Sequence, residues 1–241
     1  MAVQRSDREG RAFAGSQLQI QLYVNRHPAA LNEKILGALP ALASLHPSIR
    51  WVSPLEQERF VEYQDEAFLR AVGLAEKADM LRGFWPAGGP VWDALAVVDV
   101  PGNKPGVLLV EGKSYPDEFY GNGTMAKNPH SIARIQESFA RVKGFLKARD
   151  VDWMHARLYQ SANRLAHLYF LREVIGVQAW LVDVCFINDP HRPTSLDQWM
   201  VCIPRIVEEL GLGKGDIPTA GFVFLPAKDR AELVLRSRAS S

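Results

Sequence analysis

Gly106-Val107-Leu108-Leu109-Val110-Glu111-Gly112-Lys113 is an apolar run that ends on an acid and a base two residues apart. The run reads as a buried strand, and charge at the end of such a strand needs a reason to be there. Among the 27 acidic residues of the chain, Glu111 alone is followed two positions later by lysine. Side chains alternate faces along a strand, so Glu111 and Lys113 point the same way. Asp93 begins a second apolar run 18 positions upstream. The linker Pro101-Gly102-Asn103-Lys104-Pro105-Gly106 predicts an antiparallel hairpin of strands 91–100 and 107–115. Two acids and a lysine at one hairpin edge can hold a divalent cation and activate a water, which is phosphodiester chemistry. The plain alternative is a surface ion pair at a strand end, with Asp93 capping a turn.

Working outward, residues 17–24 alternate Gln with Leu, Ile and Val and predict a strand with one wet face. A helical stretch follows from Pro28 to about Leu45, interrupted at Pro40. Ser53-Pro54-Leu55-Glu56 has the pattern of a helix start and predicts a helix to about Val72, closed by Gly73. A short helix over 75–83 and a loop over 116–128 bracket the hairpin. Asn128-Pro129 opens a helix whose apolar stripe is Ile132, Ile135, Phe139, Val142 and Leu146, with Arg134, Arg141, Lys143, Lys147 and Arg149 on its other faces. A helix over 154–174, a buried strand over 178–187, a helix from Ser195 to Gly211 kinked or split by Pro204, and a strand over 220–225 complete the order. That order predicts an α/β fold with a mixed β-sheet flanked by helices, not a doubly wound parallel one. Residues 1–16 are expected to be a disordered N-terminus, and 17–241 a single domain with its core at about 50–225.

At 241 residues the chain can bury a full core, and its formal net charge of +1 gives no global field to recruit nucleic acid. Polyanion binding would need a local basic face. Cys185 and Cys202 fit no zinc spacing and no disulfide framework, which points to a reducing cytoplasm. The first 16 residues hold no apolar leader core, and no 18-residue apolar span occurs, so a soluble chain without a membrane segment is expected.

Asp93…Glu111-Gly112-Lys113 in a hairpin, preceded by a Glu-rich helix and followed by helix and strand, resembles the PD-(D/E)XK, or restriction-endonuclease-like, nuclease superfamily. Val91-Trp92-Asp93-Ala94-Leu95, the Leu-Leu-Val-Glu-Gly-Lys run and Leu158-Tyr159-Gln160-Ser161-Ala162-Asn163-Arg164-Leu165 are similar to an uncharacterised bacterial group within it, over roughly residues 50–225. The resemblance implies a restriction-endonuclease-like sheet and Mg²⁺ or Mn²⁺ held by Asp93, Glu111 and the Gly112 carbonyl. It also implies Lys113 as catalytic lysine and nucleic acid, DNA foremost, as partner. Trp92 stands where the pattern has proline. A further acid often comes from the first core helix; Glu58, Glu62 and Glu66 recur every four residues, and Glu62 is the favoured one. Glu118 falls in a loop that could overhang the site. Tyr159, Gln160, Asn163 and Arg164 cluster on one helix and could hold a phosphate or orient the lysine. Nucleases that cut both strands are often two-fold dimers, which leaves room for a homodimer, but no interface is readable.

Other signals fall away. Gly211-Leu-Gly-Lys-Gly215 lacks the phosphate-loop frame and follows a helix end. His155 and His167 are 12 positions apart and out of phase on a helix, and no GxSxG occurs. Two readings therefore compete with a nuclease: a catalytically inactive module of the same fold that binds nucleic acid or protein, and an enzyme for another phosphate compound.

Overall fold

The computed structural model describes residues 5–155, 157–213 and 217–235. A five-stranded mixed sheet in the order β1-β2-β3-β4-β5 forms the centre. The elements follow as α1 (Gly15–Arg26), α2 (Pro28–Ala38), α3 (Pro40–Ala43), β1 (Ser48–Ser53), α4 (Asp65–Ala71), α5 (Ala78–Phe84), β2 (Ala94–Asp99), β3 (Gly106–Lys113), α6 (Pro129–Leu146), α7 (Tyr159–Tyr169), β4 (Ala179–Ile187), α8 (Leu196–Glu209), β5 (Ala220–Pro226) and α9 (Ala231–Leu235). β1, β2 and β3 form an antiparallel meander, and β3, β4 and β5 run parallel. The expected hairpin is present, with Ala94 opposite Val110 and Val98 opposite Gly106.

The pleat divides the core in two. Leu95, Val97, Val107, Leu109, Leu181 and Cys185 face the helices α4 to α8. Ala94, Ala96, Leu108, Val110, Val182 and Val184 face α1, α2 and α3. β3 is buried along its whole length, as its apolar run requires of a central strand.

Three expectations fail. Residues 17–24 are not a strand; they form most of α1. Their alternation marks residue type and not exposure, because Gln19 and Gln21 are each 1 % exposed. Gln21 accepts from the Ala12 amide and donates to the Gly10 carbonyl, and Gln19 makes the same paired contact with Lys228. A helix buried on nearly all sides shows no wet stripe.

The helix expected over 53–72 is also absent. Ser53 ends β1, paired with Leu95, and its hydroxyl is buried without a hydrogen-bond partner instead of capping a helix. A short 3₁₀ turn, an extended stretch and α4 follow. Glu58, Glu62 and Glu66 therefore share no helix face.

Nor is the N-terminus loose over the described residues 5–16. Ser6 bridges Ala12, Asp7 pairs with Arg11 and Arg230, and Ala12 packs with Leu18, Leu22, Phe60 and Leu233. The folded unit thus extends beyond 50–225 at both ends; residues 1–4 and 236–241 lie outside the described residues.

α8 begins with the expected capping box of Ser195 and Gln198 and runs through Pro204 without splitting. α7 ends in a π turn over Phe170–Val174. No helix among the described residues is long and apolar enough to cross a membrane.

Candidate active site

The charged end of β3 sits where strand, hairpin partner and α7 meet. Ala94 pairs with Val110, so Asp93 enters on the face that carries Glu111. The Asp93 Oδ2 accepts from the Gly112 amide at 2.7 Å. Lys113 Nζ donates to Glu111 Oε1 at 2.8 Å. Arg164, projecting from α7, closes a bidentate pair on Glu111, with Nε to Oε2 and one terminal nitrogen to Oε1, both at 2.9 Å. Glu111 and Lys113 are 5 % and 4 % exposed.

The electrostatics follow from this crowding. Burial pushes the Asp93 carboxyl well above its ordinary value, and repulsion from Glu111 and Glu62 adds to that against the pull of Lys113. Burial alone would raise Glu111 too, but Arg164 and Lys113 hold it below the usual carboxylate range. Burial disfavours the Lys113 cation, yet Glu111, Asp183 and Asp93 outweigh it and keep the ammonium charged.

Glu62 reaches the site by a route different from the expected one. Tyr63 bridges Trp92 in antiparallel fashion, which sets Glu62 beside Asp93 from an extended segment. Its carboxyl is raised by burial and by Glu111, and it accepts from Gln17 Nε2 at 2.9 Å. Glu118 does overhang the cluster: it accepts from the Ser114 amide and from Ser16 Oγ, and it senses the charge of Lys113. The first turn of α1 therefore holds two of the surrounding acids.

Asp183 was not among the expected residues. It lies on β4 directly across from Glu111, and burial followed by repulsion from Glu111 raises it to about 7 despite Lys113. A signal was present, since Asp183 is the single acid in the apolar run Ala179–Ile187. The contacts of Ser16 and Gln17 left no trace, because they depend on α1 being a helix.

The four α7 residues separate. Arg164 and Gln160 face the site cavity. Tyr159 packs edge-on against Phe139. Asn163 is buried, and its Oδ1 has no hydrogen-bond partner among the described residues. On α6, Arg134 donates to the Arg82 carbonyl, Arg141 lies over Phe84 and Tyr169, and Lys143 binds Asp150 and the Val151 carbonyl. Arg149 donates to the Glu208 carbonyl, so four of the five basic residues of that face are engaged with the protein itself.

Gly112 is glycine for a packing reason. A Cβ there would stand 2.6 Å from Ile20 Cγ1, so α1 can cross β3 only over a bare backbone. The turn at Gly211 has φ 75° and ends α8 as expected, while residues 214–216 lie outside the described residues.

Among the described residues, no group of three or more His, Cys, Asp or Glu is arranged to hold a metal ion. Asp93, Glu111 and Glu62 repel one another in a buried place, and carboxylates are the donor type that a hard cation takes. Compared with known protein families, curated proteins and solved structures, the chain matches none.

Proposed function

We propose that this protein is a metal-dependent nuclease that hydrolyses nucleic-acid phosphodiester bonds at Asp93, Glu111 and Lys113. The observation that carries the reading is the meeting of Asp93, Glu111 and Lys113 on one face at the hairpin end, with Glu111 and Lys113 2.8 Å apart. Asp93 and Glu111 would hold Mg²⁺ or Mn²⁺, with the Gly112 carbonyl as a further oxygen donor. When bound, the cation supplies an activated water and stabilises charge on the phosphoryl oxygens. Lys113, kept cationic by its acidic neighbours, neutralises negative charge that develops on the phosphate. Arg164 fixes the Glu111 carboxylate, and Glu62 adds a further acid beside Asp93.

Metal-dependent cleavage of mixed DNA and RNA substrates by wild type and by Lys113→Ala tests this. Cutting in Mg²⁺ or Mn²⁺ that the variant loses supports the assignment. Equal cutting by both proteins removes Lys113 from the reaction, and no cutting under any condition removes the nuclease.

A second reading is favoured by one specific observation. Both Glu111 oxygens are already taken by Lys113 and Arg164. A closed ion-pair network suits a non-catalytic module that keeps the fold for binding.

A further inference from the structure

Glu111 and Lys113 are reached through a cavity of about 1030 Å³ that also takes in Arg164 and Asp183. Beyond this charged end it runs between α8 and the sheet, where Phe119, Leu181, Ile203 and Phe222 supply apolar walls. We propose that this cavity receives one unpaired nucleotide of a phosphodiester chain, so that the site acts on single strands or extruded nucleotides and not on an intact duplex. The proposal rests on the nuclease reading and adds the substrate class.

Three observations carry it. The first is access: Glu111 and Lys113 at the reacting end are about 5 % exposed and line a partly open cavity. A duplex is read from outside, by an element that enters a groove about 12 Å wide. A recessed ion pair cannot follow a duplex backbone, whereas a splayed nucleotide can be drawn in.

The second is wall chemistry. Phe119 is buried against Phe222 and beneath Lys113, and Phe222 and Phe224 are the partly exposed aromatics that line the cavity. Aromatic faces accept any base by stacking, so they suit an unpaired base without demanding a sequence. Gln160 and Ser161 line the same cavity beside Arg164 and offer donors for the attached phosphate.

The third is charge. Binding a duplex without reading its sequence relies on many phosphate contacts from a broad basic surface. Here the net charge is +1, and Arg134, Arg141 and Lys143 of α6 are turned to protein partners. The binding energy must then come from enclosure of the base.

An oligothymidine strand and a free thymidine dinucleotide share the required chemistry, and the test separates them from each other and from a duplex. Fluorescence anisotropy of a labelled oligothymidine is compared with that of a duplex closed by hairpins at both ends, with unlabelled dinucleotide as competitor. Ala220→Trp and Ser161→Trp each place bulk in the cavity and are checked for unchanged Tm. Both positions are partly exposed, so at least one variant is expected to fold. The expected result is single-strand binding at least about tenfold tighter than duplex binding, falling about tenfold in the folded variants.

Equal binding of the closed duplex, or binding that the variants leave intact, overturns the proposal. Binding of the dinucleotide alone also overturns it, because the occupant is then a small molecule. If the closed duplex is cut in Mg²⁺ and Lys113→Ala abolishes cutting, the cavity proposal fails while the nuclease stands. If the single strand is held but never cut in Mg²⁺ or Mn²⁺, the nuclease fails while the cavity stands.

Discussion

Asp183 stands beside Glu111 across the parallel pairing of β3 and β4, two acids in register at the centre of the sheet. They meet opposite fates. Glu111 is gripped by Arg164 and Lys113 and stays ionised, whereas Asp183 has Lys113 within reach but no ion pair among the described residues, and holds its proton to about 7. The network is therefore unevenly satisfied, and each part fails in its own way.

Arg164→Met removes the bidentate partner of a buried carboxylate. Breaking a buried ion pair costs about 3–5 kcal/mol, and the contact that Lys113 retains keeps this variant near the lower figure. Arg164→Lys should recover only part of the loss, since an ammonium cannot reproduce the planar fork. Urea denaturation at neutral pH measures both. A midpoint unchanged in Arg164→Met would show that the pair contributes no net stability.

Asp183 and His167 give stability two opposing pH dependences. Between its ordinary 3.8 and about 7, Asp183 is protonated only in the folded state, so rising pH costs stability across that window. His167, buried among Phe68, Trp85 and Trp92, is lowered by burial from 6.5 to about 4. There the unfolded state binds the extra proton, and rising pH restores stability until about 6.5. The two slopes offset each other in the wild type. Relative to wild type, Asp183→Asn should be more stable at about pH 8, by at most roughly 4 kcal/mol, and that advantage should shrink as pH falls from about 7 toward 4, while Asp93, Glu62 and His167 act alike in both proteins. Chemical denaturation across this range reads the difference, and parallel profiles would rule the assignment out.

The hairpin and β4 were legible because a strand in the middle of a sheet must be apolar over its whole length, and Val107 to Val110 and Ala179 to Val182 satisfy that without help. α1 was not, because its glutamines are polar in type but buried in place, satisfied by Gly10, Ala12 and Lys228 from distant parts of the chain. Period-two spacing cannot report a partner more than 200 residues away, as for Gln19 and Lys228. Glu62 came out in the site although the helix expected to carry it does not exist; the bridge of Tyr63 to Trp92 delivers it instead. Lys113, Glu111 and Asp93 were legible together, since strand alternation and hairpin pairing are local rules.

If Asp93 and Glu111 hold a cation, Mg²⁺ or Mn²⁺ should stabilise the folded protein by about 2.7 kcal/mol at a hundredfold excess over Kd. Asp93→Asn should abolish that effect. Without metal the same variant should be neutral or stabilising, because its amide oxygen can still accept from Gly112 while repulsion with Glu111 and Glu62 disappears. Thermal unfolding with and without each cation separates the cases. Equal metal responses in both proteins would place the cation elsewhere.

Gly112→Ala tests how α1 supports the site. The new methyl would meet Ile20 Cγ1 at 2.6 Å, so α1 must retreat or Ile20 must leave its rotamer, at about 1–3 kcal/mol. Ile20→Ala alone leaves a void on the sheet and costs about 2–5 kcal/mol. Together they should cost less than their sum, because the methyl enters space that Ile20 vacates. A retreat of α1 also draws Gln17 from Glu62 and Ser16 from Glu118, two contacts made by its first turn. Gly112→Ala should therefore lower metal-dependent activity beyond what its loss of stability explains, and Ile20→Ala in the same chain should restore part of it. Strict additivity in stability would mean that Ile20 does not confine Gly112, and the link from α1 to the acids would fall with it.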